Sequence, residues 1–133
     1  MDPRVVARAT LGERISLPDY LHILERRQAM QAEFAAALQP GELVLTPTLP
    51  HVAPLIEPLL RHDDLFFATN GKTLRNTLIG NFLDWCGVSI PCGSGDAGMP
   101  VGLMISALAG DDDVLLAAAL AAEPVVRADI TSR

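Results

Sequence analysis

Apolar side chains recur at a helical period between residues 20 and 38. Tyr20, Ile23, Leu24, Met30, Phe34 and Leu38 fall close to a 3.6-residue repeat, with Glu25, Arg26, Arg27 and Gln31 mostly on the other side. The spacing predicts a long helix opened by Ser16-Leu17-Pro18-Asp19 and ended by Gln39-Pro40-Gly41. A shorter helix precedes it: Asp2-Pro3 places proline at the first helical position, Val5, Val6 and Leu11 follow, and Gly12 stops the pattern. Leu43-Val44-Leu45 is an apolar run between breakers, which reads as a short buried strand. Pro47, Pro50, Pro54 and Pro58 then remove backbone donors too often for a regular sheet or a long helix. An extended loop is expected there, with one helical turn at 55–60 and a return to solvent at His62-Asp63-Asp64.

Leu74, Leu78, Phe82, Leu83 and Trp85 suggest a second helix over 69–85, with Thr69 or Asn70 near its cap and Gly87 ending it. Gly80 weakens that helix by about 1 kcal/mol relative to alanine. Residues 88–91 are strand-like, 93–98 form a turn, and 100–108 make the second strand of a hairpin. Asp111-Asp112-Asp113 caps a final helix over 114–123, with Leu115, Leu116, Ala119 and Leu120 toward a core; the tail after about 124 is expected to be loose. The succession predicts an α/β fold, a short mixed sheet with flanking helices, in one domain over 1–133. Three short strands leave edges that further chain normally covers.

Composition sharpens that last point. Half of the residues are hydrophobic and 20% are charged, more apolar than is usual for so short a chain. The surplus must be exposed, buried in a second copy, or buried against another part of a larger protein. The net charge of −6, with Lys72 the sole lysine among scattered arginines, repels polyanions and argues against a nucleic-acid partner. With no apolar run of membrane-spanning length and no signal-peptide pattern at the start, a cytoplasmic protein is expected. Cys86 and Cys92 lack metal-ligand spacing and read as reduced core thiols.

The order of the segments carries a resemblance. Leu45-Thr46-Pro47-Thr48-Leu49-Pro50 resembles the "TPT.P" strand and loop of the amidase signature family. Leu74-Arg75-Asn76-Thr77 through Asn81-Phe82-Leu83, then Gly87-Val88-Ser89-Ile90-Pro91-Cys92-Gly93, is similar to that family's helix entering its "SIPCG" strand. Gly98-Met99-Pro100-Val101-Gly102-Leu103-Met104-Ile105 matches the "G-L-P-V-G-L-Q" strand, and residues 113–123 resemble the family's last helix, which ends in a glutamate. Gly12-Glu13-Arg14-Ile15-Ser16 with Asp19-Tyr20 and Arg26-Arg27 is similar to the helix before "TPT", so nearly the whole chain is covered. The likeness is to amidotransferase-A-subunit-like amidases in particular, and it implies the C-terminal portion of an enzyme that hydrolyses a carbon–nitrogen amide bond, with no cofactor or metal.

The same resemblance defines what is missing. The family's chemistry uses a serine, a second serine on a strained peptide, and a lysine, with the nucleophile in a Gly/Ser-rich stretch. This sequence has no Gly-Gly-Ser-Ser run, and Lys72 stands far from the family's lysine position, so no catalytic residue is assigned. Arg75 and Asn81 are the candidate substrate-binding residues, because the resemblance places their helix at the border of the pocket. The implied partners are a small-molecule amide and either an upstream amidase segment or a second copy of the chain. Ser94 fails the nucleophile-elbow pattern, since Cys92 and Asp96 occupy the flanking glycine positions. His22, His51 and His62 have no metal-site spacing, and Asp111–Asp113 lacks the alternation of a calcium loop.

Overall fold

The computed structural model describes residues 2–131, which divide into two compact units with the boundary between Ala37 and Leu38. In the first unit Asp2 caps α1 (Pro3–Ala9), accepting the Arg4 backbone N–H at 2.9 Å, with Pro3 at the start. The hydrogen bond from the Arg4 side chain, followed by that backbone bond, holds the Asp2 carboxyl down to about 2. A 3₁₀ segment (Thr10–Arg14) carries the chain through Gly12. α2 (Leu17–Ala37) begins where Ser16 and Asp19 exchange hydrogen bonds: the Ser16 hydroxyl donates to Asp19 Oδ2 at 2.6 Å, and the Asp19 N–H returns to Ser16 Oγ at 3.3 Å. None of its residues is buried, and Leu17, Tyr20, Leu21, Ile23, Leu24 and Met30 are all exposed.

The second unit is built on a three-stranded sheet, order β1-β3-β2, from β1 (Val44–Pro47), β2 (Cys86–Ser94) and β3 (Pro100–Ala107). The α/β class expected from the sequence holds. Both strand pairings are antiparallel, where a mixed sheet was expected, because β2 and β3 form a hairpin and β1 joins the other side of β3 in the reverse direction. Pro47 and Pro91 lie on the two edge strands, and Pro100 is the first residue of the central one, the places where a missing N–H costs least. The ladder slips between Pro91 and Gly93, leaving Cys92 in a bulge.

Side-chain alternation gives the sheet two unlike faces. Ile105 and Ala107, with Val88 and Ile90 of β2, lie on the face covered by α5 (Asp112–Thr131), and Leu115 and Ala119 close a small core against them. Leu43, Cys86, Ala122 and Val126 complete its rim. Leu116 and Leu120, also expected in the core, are exposed: the buried seam follows 115, 119, 122 and 126, and positions 116 and 120 are each rotated by about 100° from it. Leu45 pairs with Ile105 on the same face but is 61% exposed, because the α5 cover is centred on β2 and β3.

Several boundaries differ from the sequence expectations, β2 (Cys86–Ser94) being longer than the expected 88–91 and three helix ends being displaced. α3 (Ile56–Arg61) is followed at once by α4 (Asp63–Leu83), so Asp63 and Asp64 form a helical first turn, favourable at the positive end of the helix dipole, rather than a solvent loop. α4 ends before Gly87, at Asp84, which adopts the left-handed conformation with φ 66° while the Trp85 N–H closes onto the Gly80 carbonyl at 2.9 Å. α5 does not stop at Glu123 but runs through Pro124 to Thr131; the proline leaves the Leu120 carbonyl without its usual helical donor at an exposed turn.

The core seam predicts an asymmetric pair of substitutions. Leu115→Ala should lower unfolding free energy by about 2–5 kcal/mol, whereas Leu116→Ala, one residue away, should change it by no more than about 0.5 kcal/mol. Urea denaturation of the two variants followed by circular dichroism checks this; equal losses would place the seam wrongly.

Candidate functional site

The face of the sheet opposite α5 is polar at its centre. Gly102, Met104 and Ser106 of β3 lie on it, beside Thr46 and Thr48 from β1 and its continuation and Gly87 and Ser89 of β2. Thr48 extends the β1 pairing by donating its N–H to the Gly102 carbonyl at 2.8 Å. Strands two apart in a sheet are separated by about 10 Å. The side chains of Thr48 and Ser89 nonetheless meet above β3, Oγ1 to Oγ at 2.5 Å. Gly102 makes this possible: a β-carbon there would stand 2.6 Å from Ser89 Oγ and 2.8 Å from Thr48 Oγ1. The neighbouring Thr46 hydroxyl is buried with no hydrogen-bond partner among the described residues.

The hydroxyl pair lines a cavity of about 370 Å³ whose other walls are Leu49, His51, Ala53, Pro91, Pro100 and Val101. His51 is fixed at both ring nitrogens: Nδ1–H donates to the Val52 carbonyl at 2.7 Å, and Nε2 meets the Thr73 hydroxyl at 2.9 Å. It ties the proline-rich loop to α4. His22 is exposed, its Nδ1 3.9 Å from Glu25, and His62 is the residue between α3 and α4.

α4 turns an unusual stripe toward this side of the unit. Thr73, Asn76, Thr77, Gly80 and Asn81 fall at i, i+3, i+4, i+7 and i+8. Thr73 meets His51, and Asn76 Nδ2 donates to the Pro47 carbonyl at 2.7 Å. Thr77, Gly80 and Asn81 line a second crevice, of about 200 Å³, with Trp85, Gly87, Met104 and Ser106. Leu74, Leu78 and Phe82, which suggested the helix from its sequence, are exposed instead. Over residues 73–81 the helix is therefore polar toward the sheet side and apolar outside, while its buried residue, Leu83, is apolar.

Of the two candidate binding residues, Asn81 borders that smaller crevice. Arg75 is exposed, makes no hydrogen bond or ion pair among the described residues, and lines neither cavity. The helix is unbroken between them, so the two side chains leave it about 120° apart. Sequence reasoning missed Thr48, Ser89 and His51 as a group. The available signal was the pairing of a glycine on one strand with small hydroxyl residues on two others, which needs the register to be recognised. Ser94 is exposed at the end of β2 opposite Pro100, and the two cysteines are free, with Cys86 directed at the carbonyls of Ala107 and Leu108. No helix among the described residues is long and apolar enough to cross a membrane.

The chain is 29% identical over 126 residues to a 2-amino-5-chloromuconic acid deaminase from Comamonas testosteroni, covering 95% of this chain and 27% of that protein. It is 30% identical over 104 residues to the A subunit of a glutamyl-tRNA(Gln) amidotransferase from Methylacidiphilum infernorum, covering 74% of this chain and 19% of that one. The counterpart from Parvibaculum lavamentivorans is 31% identical over 110 residues, with 78% of this chain and 20% of that one covered. The chain thus spans about a fifth to a quarter of the length of these relatives. No solved structure gives a significant match. The family model described as Amidase matches residues 2–116, and the chain belongs to that family.

Proposed function

We propose that this chain is the C-terminal region of an enzyme that hydrolyses a carbon–nitrogen amide bond, and that it supplies scaffold and part of the substrate pocket while the Ser-Ser-Lys chemistry is carried by sequence outside it. The observation that carries this reading is the span of the match: the family model runs over residues 2–116, yet the relatives are about four to five times longer than the portion covered. The reading also fits the chemistry at hand. Hydroxyls, an amide and a histidine engaged at both nitrogens can bind and orient; the one hydroxyl beside the imidazole, that of Thr73, donates to the Thr69 carbonyl and lines neither cavity. The remaining amidase sequence is the partner this region would pack against, in the cytoplasm, with a small-molecule amide as substrate.

A second reading rests on a separate observation, the exposed apolar residues of α2 and of the outer side of α4. In it the chain is a non-catalytic module whose surplus is buried in a homo-oligomer. Size-exclusion chromatography with light scattering distinguishes the state of the isolated chain. An associated species is the expected result, and a monodisperse 14.2 kDa monomer that binds no hydrophobic dye would count against any demand for cover.

Two further outcomes are expected. The 133-residue chain should show no turnover of simple amides, since positioning alone does not supply the barrier lowering that amide hydrolysis requires. Turnover persisting in both Ser94→Ala and Cys92→Ala would overturn the assignment of the chemistry to sequence outside the chain. In a complete enzyme bearing this region, Arg75→Ala should raise KM or change the preferred amide while leaving acylation by a small reactive amide nearly intact. Unchanged kinetics with every substrate would remove Arg75 from the pocket.

A further inference from the structure

We propose that the free edge of β2 pairs antiparallel with the β2 of a second copy of this chain, about a two-fold axis at Val88. The proposal rests on the homo-oligomer reading and names the surface that reading leaves open. The order β1-β3-β2 leaves two edges, and one bond shows what each offers. The Thr48 N–H donates to the Gly102 carbonyl, so Gly102, and with it Met104 and Ser106, turns its backbone groups toward β1. The alternate residues Leu103, Ile105 and Ala107 turn theirs toward β2, onto Ile90, Val88 and Cys86. Gly87, Ser89 and Pro91 therefore direct theirs out of the sheet, and all three are exposed. By the same alternation Leu45 and Pro47 face out of β1. That edge offers little: it is four residues long, its proline gives no donor, and the outward Pro47 carbonyl already accepts from Asn76. β2 is nine residues long and carries no charged residue of the kind that blunts an edge.

The β2 edge is suited to its own copy. Its regular ladder begins at Cys86 and slips after Pro91, and Val88 is the middle of the stretch 86–90. A two-fold axis there sets Gly87 against the partner's Ser89, so the outward N–H groups of both residues gain carbonyls in each copy. At the margins Pro91 has no N–H and the Trp85 N–H is bonded to the Gly80 carbonyl, so no donor is stranded. The helix above the sheet matches. Seen from the α5 side with β3 pointing up, β2 lies to the right, because L-residues whose side chains face the viewer, here Ile105 and Ala107, direct their backbone groups that way. α5 returns downward over this face, and one residue past the buried positions 115 and 119 a right-handed helix has turned about 100° to the right. Leu116 and Leu120, 52% and 70% exposed, therefore stand on the side of the β2 edge, while Val114 and Val125, one residue before seam positions 115 and 126, stand on the side of β1. Pairing would bring the leucines of both copies together above the new strand pair, adding apolar burial to the main-chain bonds. With so little on offer at β1, association closes at two copies instead of continuing as a fibre.

Sedimentation equilibrium of the 133-residue chain should show a species of twice the 14.2 kDa chain mass. Amide hydrogen exchange followed by NMR should slow at Gly87 and Ser89 as concentration rises, and not at Leu45. Leu120→Glu should raise the dimer dissociation constant at least about ten-fold, and Val125→Glu, comparably exposed on the other side of α5, should leave it within about two-fold. Ser89→Pro, which removes an outward N–H and no bond to β3, should act like Leu120→Glu. Circular dichroism checks that each variant is folded, and Leu120→Glu decides the matter if the proline variant is not. A dimer indifferent to Leu120→Glu, or one whose Gly87 and Ser89 exchange ignores concentration, would overturn this interface and keep the homo-oligomer reading. A monomer at every concentration would overturn both and leave the edge to sequence outside the chain.

Discussion

The larger unit depends on the alternation along β3. Its odd positions, Ile105 and Ala107, carry the hydrophobic contact with Leu115 and Ala119 that holds α5 in place. Its even positions, Gly102, Met104 and Ser106, form the floor of the opposite, polar face. A slip of one residue in the pairing would exchange the two, so the register that builds the core also brings Thr48 to Ser89. Stability and candidate chemistry are thus coupled through one strand. Substitutions in the α5 seam are expected to disturb the hydroxyl pair at a distance, and substitutions in the pair are expected to leave the seam alone.

The core itself is thin. Six hydrophobic residues are buried among those described, whereas large apolar side chains are exposed on α2, on α4 and along the outer side of α5. A free-standing domain with half of its residues hydrophobic would be expected to invest more of them in its own interior. α4 shows the imbalance within a single element. Its polar stripe makes the contacts with the loop and the first strand, while Leu74, Leu78 and Phe82 are exposed and, of its apolar residues, Leu83 is the one buried among those described. Such a helix is coherent when both of its sides are covered, with a polar cleft on one side and further protein on the other.

Much of the fold could be read from the sequence because it was written in local signals. Asp2-Pro3, Ser16 with Asp19, and the Asp111–Asp113 cluster mark helix starts that the structure places within a residue or two, and the β2–β3 hairpin follows from its apolar runs and intervening glycines. The misread boundaries have physical causes. Asp63 and Asp64 are acidic in either a loop or a first helical turn, and their sequence does not separate the two. Pro124 is tolerated in an exposed turn of a helix already anchored by Leu115 and Ala119. The candidate site was less legible. Family likeness pointed to the "TPT" and "SIPCG" segments as blocks, but the meeting of Thr48 with Ser89 arises from a non-local register 41 residues apart, with Gly102 as its third member.

That register also bears on Arg75 and Asn81. An unbroken α4 sends Asn81 to the crevice beside Ser106 and Arg75 to a separate side of the helix, so a single small ligand group cannot be shared between them. If both contact substrate in a complete enzyme, they must do so at different parts of it, with the arginine addressing whatever the outer side of α4 faces. The groups that do converge, Thr48, Ser89 and the walls around them, are uncharged or already engaged. The sheet face holds its hydroxyls at places set by the strand register, whereas the Arg75 guanidinium stands apart on the exposed side of α4 and lines neither cavity.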